Sequence, residues 1–200
     1  MSIAAKAYRD AQSHLDDHLA RLARAFDGEA ADALIEIDLR IAAREDATQI
    51  ALPLRVLCDQ AGLDQRAIQL LVLAAVPVLD AELAARLQQR IRGIAPTVGE
   101  LLAILGLADS EAEGLIAVLS RAAPLLSHGL VVLSVDDTTL LHRRLHVDVR
   151  VAAFLRGEGL FDQVPAAQNG NAIPDSIEDQ IKRILGSPRR AGETIETGFQ

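Results

Sequence analysis

Apolar positions recur every three or four residues over most of the chain and switch to alternation at one place only. Across 2–27 they fall at Tyr8, Ala11, Leu15, Leu19, Leu22 and Phe26, one side of a helix that Gly28 ends. Residues 30–44 predict a second helix, whose Leu34, Ile35, Leu39, Ile41 and Ala42 form a face broad enough to be covered on more than one side. Pro53 suits a first helical position, and Gly62 suits the left-handed turn that stops a helix. Asp64 then caps a helix over 65–76, so helix, glycine turn and helix follow at helix-turn-helix spacing. Pro77 cannot donate the hydrogen bond that would continue this helix, and it separates 65–76 from a third helix beginning near Asp80. In that helix Leu83, Leu87 and Ile91 share one face while Arg86 and Arg90 lie on another. Thr97 with Glu100 three residues later is a capping box that opens the next helix. Asp109 or Ser110 caps EAEGLIAVLSRA, and Pro124 marks its exit.

The period then changes. LVVLSV over 130–135 is β-branched and bounded by Gly129 and DDTT, the pattern of a strand. Residues 140–147 return as its partner, with Leu141, Leu145 and Val147 alternating inward, to make a hairpin. Helix resumes over 148–156, where Val149, Val151, Ala152, Phe154 and Leu155 are apolar, and Gly157 and Gly159 stop it. Residues 159–174, rich in Gly, Pro, Asn and Gln, read as a linker. IEDQIKRIL over 177–185 follows as a short amphipathic helix, then a polar tail with Ser187, Pro188, Arg189 and Arg190. The fold class is mostly α: a helical domain with one small β-hairpin and an N-terminal helical extension. The boundaries expected are a 1–51 helical extension, a 52–157 domain, and a 158–200 segment of linker, short helix and mobile tail.

Composition sharpens this picture. Half of the 200 residues are apolar, enough for one sizeable core, but aromatics are 2% and Trp is absent. The core is therefore packed from Leu, Ile, Val and Ala on helices. A formal net charge of -8 opposes long-range attraction to a nucleic-acid backbone. Cys58 is the single cysteine, so no intramolecular disulfide can form, and its setting in RVLCDQAGL marks a small buried hydrophobe. No cationic, apolar leader opens the sequence, and the longest apolar run, 70–79, is far short of a bilayer span. A cytoplasmic protein with no membrane partner is expected.

Catalytic signatures are sought without success. The sequence has no phosphate loop, no G-x-S-x-G elbow and no G-x-G-x-x-G fingerprint, so no enzyme, catalytic residue or cofactor is expected. His14 and His18 stand at metal-ligand spacing, yet the glutamate and third ligand of a zinc protease are missing from the motif; both are expected as solvated surface histidines, with no metal. His142 and His146 fall on the outward side of the second strand, and Asp136 and Asp137 supply turn chemistry at the hairpin tip. Asp16, Asp17, Glu45 and Asp46 read as solubilising surface charges. Arg86, Arg90 and Arg92 on the third helix, with Arg143 and Arg144 on the hairpin, form the candidate partner-binding surface. No Asn on that helix is placed to read adenine.

Taken in order, QLLVLAAVPVLDAEL, RLQQRIRGIAPTVGELLAIL, LVVLSVDD and LHVDVRVAAFLRG resemble the winged-helix-like N-terminal domain of a group of bacterial AAA+ ATPases, including those of extracellular contractile injection systems. The resemblance covers about 52–157. Its landmarks are Pro77, Leu79 and Asp80; Pro96, Thr97 and Val98; and Asp148, Arg150, Val151, Phe154, Leu155 and Gly157. The chain departs from the pattern at 81–85, where AELAA replaces the usual aromatics, and no ATPase module lies within these residues. The resemblance implies a noncatalytic adaptor or regulatory domain whose partner is the AAA+ motor module or an injection-system component. The alternative is a winged-helix transcription regulator that binds DNA. Self-association through Leu15, Leu19, Leu22 and Phe26 is a further expectation, set against packing of that stripe within the chain.

Overall fold

A computed structural model of the chain describes residues 6–91, 93, 95–105, 114, 116–120, 123–134, 139–157, 182 and 185. The molecule is mostly helical with a small two-stranded antiparallel sheet. In chain order the elements are α1 (Ala11–Phe26), α2 (Ala31–Asp46), α3 (Pro53–Ala61), α4 (Gln65–Leu79), α5 (Ala81–Gln88), α6 (Val98–Leu105), α7 (Pro124–Ser127), β1 (Val131–Leu133), β2 (Leu145–Val147) and α8 (Val149–Leu155). Residues 114 and 116–118 are also helical.

Short-range chemistry sets most boundaries. Asp10, Asp64, Asp80 and Asp148 each accept a hydrogen bond from a backbone N–H of the turn that follows, which starts α1, α4, α5 and α8. The first cap explains why α1 opens at Ala11 rather than at the start of the apolar pattern. Gly62 closes α3 at φ +65°, a conformation open to glycine without steric cost. Thr97 and Glu100 form the expected capping box, with Thr97 N–H donating to Glu100 Oε2 at 2.9 Å and Glu100 N–H to Thr97 Oγ1 at 3.2 Å. Pro77, expected to end α4, lies inside its last turn instead. A proline in a helix removes a single N–H, so the helix runs on to Leu79 and breaks at Asp80, whose backbone is extended. There the axis bends by 104° into α5.

The centre of the molecule is α4. Leu70, Leu71, Val72, Leu73, Ala74, Ala75 and Val76 are all buried, so the helix has no solvent face over two turns. A helix apolar all round must be covered all round, and α1, α5, α8 and β2 pack on it. Leu15, Leu19, Leu22 and Phe26 of α1 join Leu57, Leu87, Leu101, Leu125, Leu130, Leu145 and Phe154 in one core. That burial bears out packing of the α1 stripe within the chain rather than self-association through it. No single helix among the described residues is long and apolar enough to cross a membrane.

The outer helix α2 also departs from expectation. It buries only Ile37 and Ile41, while Ile35 and Leu39 are 55% and 67% exposed. Its partner in the fold is α1, so one narrow stripe is covered and the rest of the broad apolar face is not.

The hairpin is shorter than the alternation suggests. Register runs Val131 to Val147, Val132 to His146 and Leu133 to Leu145. Residues Leu140–His142 form a 3-10 turn rather than strand, which leaves Leu141 42% exposed instead of facing inward. The sheet gains a third edge from an antiparallel bridge between Thr97 and Arg144. Val98 N–H donates to Arg143 O at 2.9 Å and Leu145 N–H to Pro96 O at 3.0 Å, so the entry to α6 is fastened to the hairpin by backbone bonds. The expectations for Asp109 and Ser110, for Asp136 and Asp137, and for most of 158–200 lie outside the described residues; Leu185, which is described, packs against the core.

Truncating a side chain at the centre of α4 should leave a cavity that its neighbours cannot fill. Leu71→Ala is expected to lower the unfolding free energy by about 2–5 kcal/mol in urea denaturation followed by circular dichroism.

Candidate interaction surface

Of the five arginines singled out from the sequence, Arg86 and Arg90 are engaged within the chain. Arg86 projects from α5 toward the end of α1, where it pairs with Asp27. Arg90, one turn on, donates to the backbone carbonyl of Phe26. Both guanidinium groups also lie over the Phe26 ring, at 5.8 Å and 5.7 Å from its centroid. The Phe26 carbonyl is one that a helix C-terminus leaves without an intrahelical partner, and cations are favoured there by the helix dipole. Arg86 and Arg90 thus clamp α1 onto α5. Arg92 lies outside the described residues.

On the hairpin, Arg143 is partly buried and Arg144 is exposed. Arg144 N–H donates to Ser134 Oγ at 3.0 Å, which pins its backbone to the exit of β1. Its guanidinium lies over Gly93, where a Cβ would come within 3.1 Å of Nη2. At Gly99 a Cβ would meet the Leu141 carbonyl at 3.1 Å, so the first turn of α6 accepts the 3-10 turn closely because it is bare there. His142 and His146 are both exposed, His146 on β2 as the alternation implied and His142 in the 3-10 turn, outside the strand. Burial and the charge of Arg144 hold His146 below the usual histidine range.

Away from this surface the structure brings together groups that the sequence left scattered. His14 and His18 are 1% and 8% exposed, which overturns the reading of them as solvated. Glu45, read as a surface charge, reaches them from the last turn of α2, with its Oε1 2.6 Å from His14 Nε2. Burial pushes the Glu45 carboxyl up, but hydrogen bonds from both histidines outweigh this and hold it at about 2. Desolvation pushes His14 below its ordinary value against the pull of the carboxylate. Asp17 likewise is not idle on the surface: it accepts from the Tyr8 hydroxyl and pairs with Arg44. Arg21 and Asp38 make a two-pronged ion pair at 3.0 Å and 3.1 Å between α1 and α2. Sequence spacing could find the two histidines, since i and i+4 share a helix face, but nothing local connects them to residue 45.

Helices bracketed by a three-edged sheet, with a hairpin at the C-terminal side, define the architecture, and a family model described as "Winged helix domain, variant" matches residues 23–164. The chain belongs to this winged helix family. No curated protein and no solved structure matches it. Within the match the bridge at Thr97, then α6, the helical residues 114 and 116–118, β1 and β2 follow one another. The pair α3 and α4, joined through the Gly62 turn as the spacing suggested, contributes Leu54, Leu57, Leu70 and Leu73 to the core.

If the clamp on α1 rests on packing more than on charge, its two components separate by mutation. Phe26→Ala should cost about 3–5 kcal/mol of stability. Asp27→Asn, at a rim position, should cost less than about 1 kcal/mol. Paired guanidinium denaturation curves measure both.

Proposed function

We propose that this winged helix domain is a noncatalytic protein-interaction module, an adaptor or regulatory domain of an AAA+ ATPase associated with a contractile injection apparatus. The observation that carries the preference for protein over DNA is the engagement of Arg86 and Arg90 by Asp27 and the Phe26 carbonyl. Phosphate binding draws on guanidinium groups turned to solvent, and these two are turned onto the molecule's own α1. The net charge of -8 acts in the same direction, since it opposes long-range attraction to a nucleic-acid backbone. The face offered to a partner centres on the hairpin end, where Arg143 and Arg144 adjoin the exposed Leu141. An apolar side chain beside arginines has the composition of a protein-binding patch.

The motor association rests on the ordered landmarks shared with the AAA+ N-terminal domains. In this fold they are joints rather than surface. Asp80 caps α5, Thr97 caps α6 and bridges to β2, and Asp148 caps α8. Val151, Phe154 and Leu155 are the α8 residues that enter the core. The shared residues thus support the same scaffold, and partner choice is left to the surface between them.

Two titrations test the reading. Against a fluorescent mixed-sequence duplex at two salt concentrations, the chain should show no tight, salt-dependent binding. Against the AAA+ motor of an injection apparatus from the same organism, calorimetry should show binding that Arg143→Ala with Arg144→Ala weakens. Tight duplex binding that falls steeply with salt, or an absence of any binding to the motor, overturns the proposal.

A further inference from the structure

Three potential ligand atoms meet at one point between α1 and α2. His14 Nε2 is 2.6 Å from Glu45 Oε1, His18 Nε2 is 3.6 Å from the same oxygen, and the two nitrogens are 3.2 Å apart. We propose that His14, His18 and Glu45 bind a divalent transition-metal ion of the zinc class.

The geometry is that of an open three-ligand site. Four-coordinate zinc holds nitrogen and carboxylate oxygen at about 2.0–2.2 Å. For a triangle with sides of 2.6, 3.2 and 3.6 Å, a point about 1 Å above its plane lies about 2.1 Å from every corner, a zinc bond length. The 2.6 Å between His14 Nε2 and Glu45 Oε1 is a hydrogen-bond separation, which side-chain rotation would widen toward about 3.3 Å in a tetrahedral shell. Histidines at i and i+4 reach the same side of α1, and Glu45 arrives from the last turn of α2, so the three donors come from two helices already packed together.

Hydrogen bonding alone serves this cluster poorly. His14 Nε2 carries at most one proton, and both Glu45 Oε1 and His18 Nε2 face it. If both imidazoles turn Nε2–H to the carboxylate, the two N–H groups face each other at 3.2 Å; if His18 donates to His14, the His14 lone pair faces an anionic oxygen at 2.6 Å. A cation satisfies all three atoms together. Each imidazole then holds its proton on Nδ1 and gives the Nε2 lone pair to the metal, with the carboxylate supplying one negative charge.

Two imidazoles and one carboxylate suit zinc, cobalt or nickel better than calcium or magnesium, which take oxygen ligands. Against His18 and Glu45 lies a cavity of about 190 Å³, lined also by Asp38, Cys58 and Asp59. It has room for the water that completes an open zinc shell. Around the ligands, the Tyr8 ring packs edge-on against His14 with centroids 4.9 Å apart. Arg44 lies over that ring at 4.0 Å. The histidines precede residue 23, where the family match begins, whereas Glu45 lies within it. The metal therefore ties the leading helix to the winged helix domain.

The test uses the full chain stripped with a chelator and then given Zn²⁺ alone in competition with a chromophoric chelator. One Zn²⁺ per chain is expected, and Glu45→Gln and His18→Gln should each weaken it by more than about tenfold, with helix content checked by circular dichroism. His142→Gln, at an exposed position, should not change it. A measurement on the unaltered chain stands independent of the variants: nitrogen-15 correlation spectra of the imidazoles should show Zn²⁺ shifting two of the five histidines through Nε2. No stoichiometric Zn²⁺ uptake, uptake unchanged in both folded variants, or shifts at histidines other than these two overturns the proposal.

Discussion

The structure depends on one helix that has no side fit for water. Over two turns of α4 every side chain is apolar and buried, and at roughly 25 cal/mol for each Å² of apolar surface removed from water, leaving any side uncovered would be costly. The neighbours therefore approach from several directions. The bend of 104° at Asp80 lays α5 across α4 instead of extending it, while α1, α8 and β2 close the remaining sides. The hairpin belongs to this same shell through Leu145, which is 1% exposed.

Given that centre, the charged residues divide between holding and meeting. Arg21 with Asp38, Arg44 with Asp17, and Arg86 with Asp27 all lie where α1 touches another element. An ion pair at a surface contributes little free energy, but it fixes which of several similar apolar packings is adopted. For a chain whose core is almost all Leu, Val and Ala, directional contacts of this kind select the register of α1. The consequence for function is that basic residues on a helix face, counted from sequence, overstate the positive surface a partner would meet.

How much was legible follows from the range of the interaction. Caps are written within three residues, so Asp64, Asp80, Thr97 with Glu100, and Asp148 identify their helices directly. The Gly62 stop and the position of β1 and β2 are similarly local. What was not legible requires knowing which helix lies next to which. His14 and His18 look solvated until α2 covers them, and Glu45 is 31 residues from the first of them along the chain. Arg86 finds Asp27 across 59 residues. The apolar periodicity that includes Ile35 and Leu39 predicts a covered face on α2, and only the outer position of that helix leaves them bare. The 3-10 turn at Leu140–His142 closes on itself through His142 N–H to Thr139 O and Arg143 N–H to Leu140 O, local bonds that an alternating pattern does not encode.

The bridge between Thr97 and Arg144 has a mechanical consequence. Backbone bonds on both sides of Thr97, from Val98 to Arg143 and from Leu145 to Pro96, join the start of α6 to the turn-side end of β2. A displacement of β2 is therefore shared with the first turn of α6 through main-chain bonds, whatever side chains lie between them.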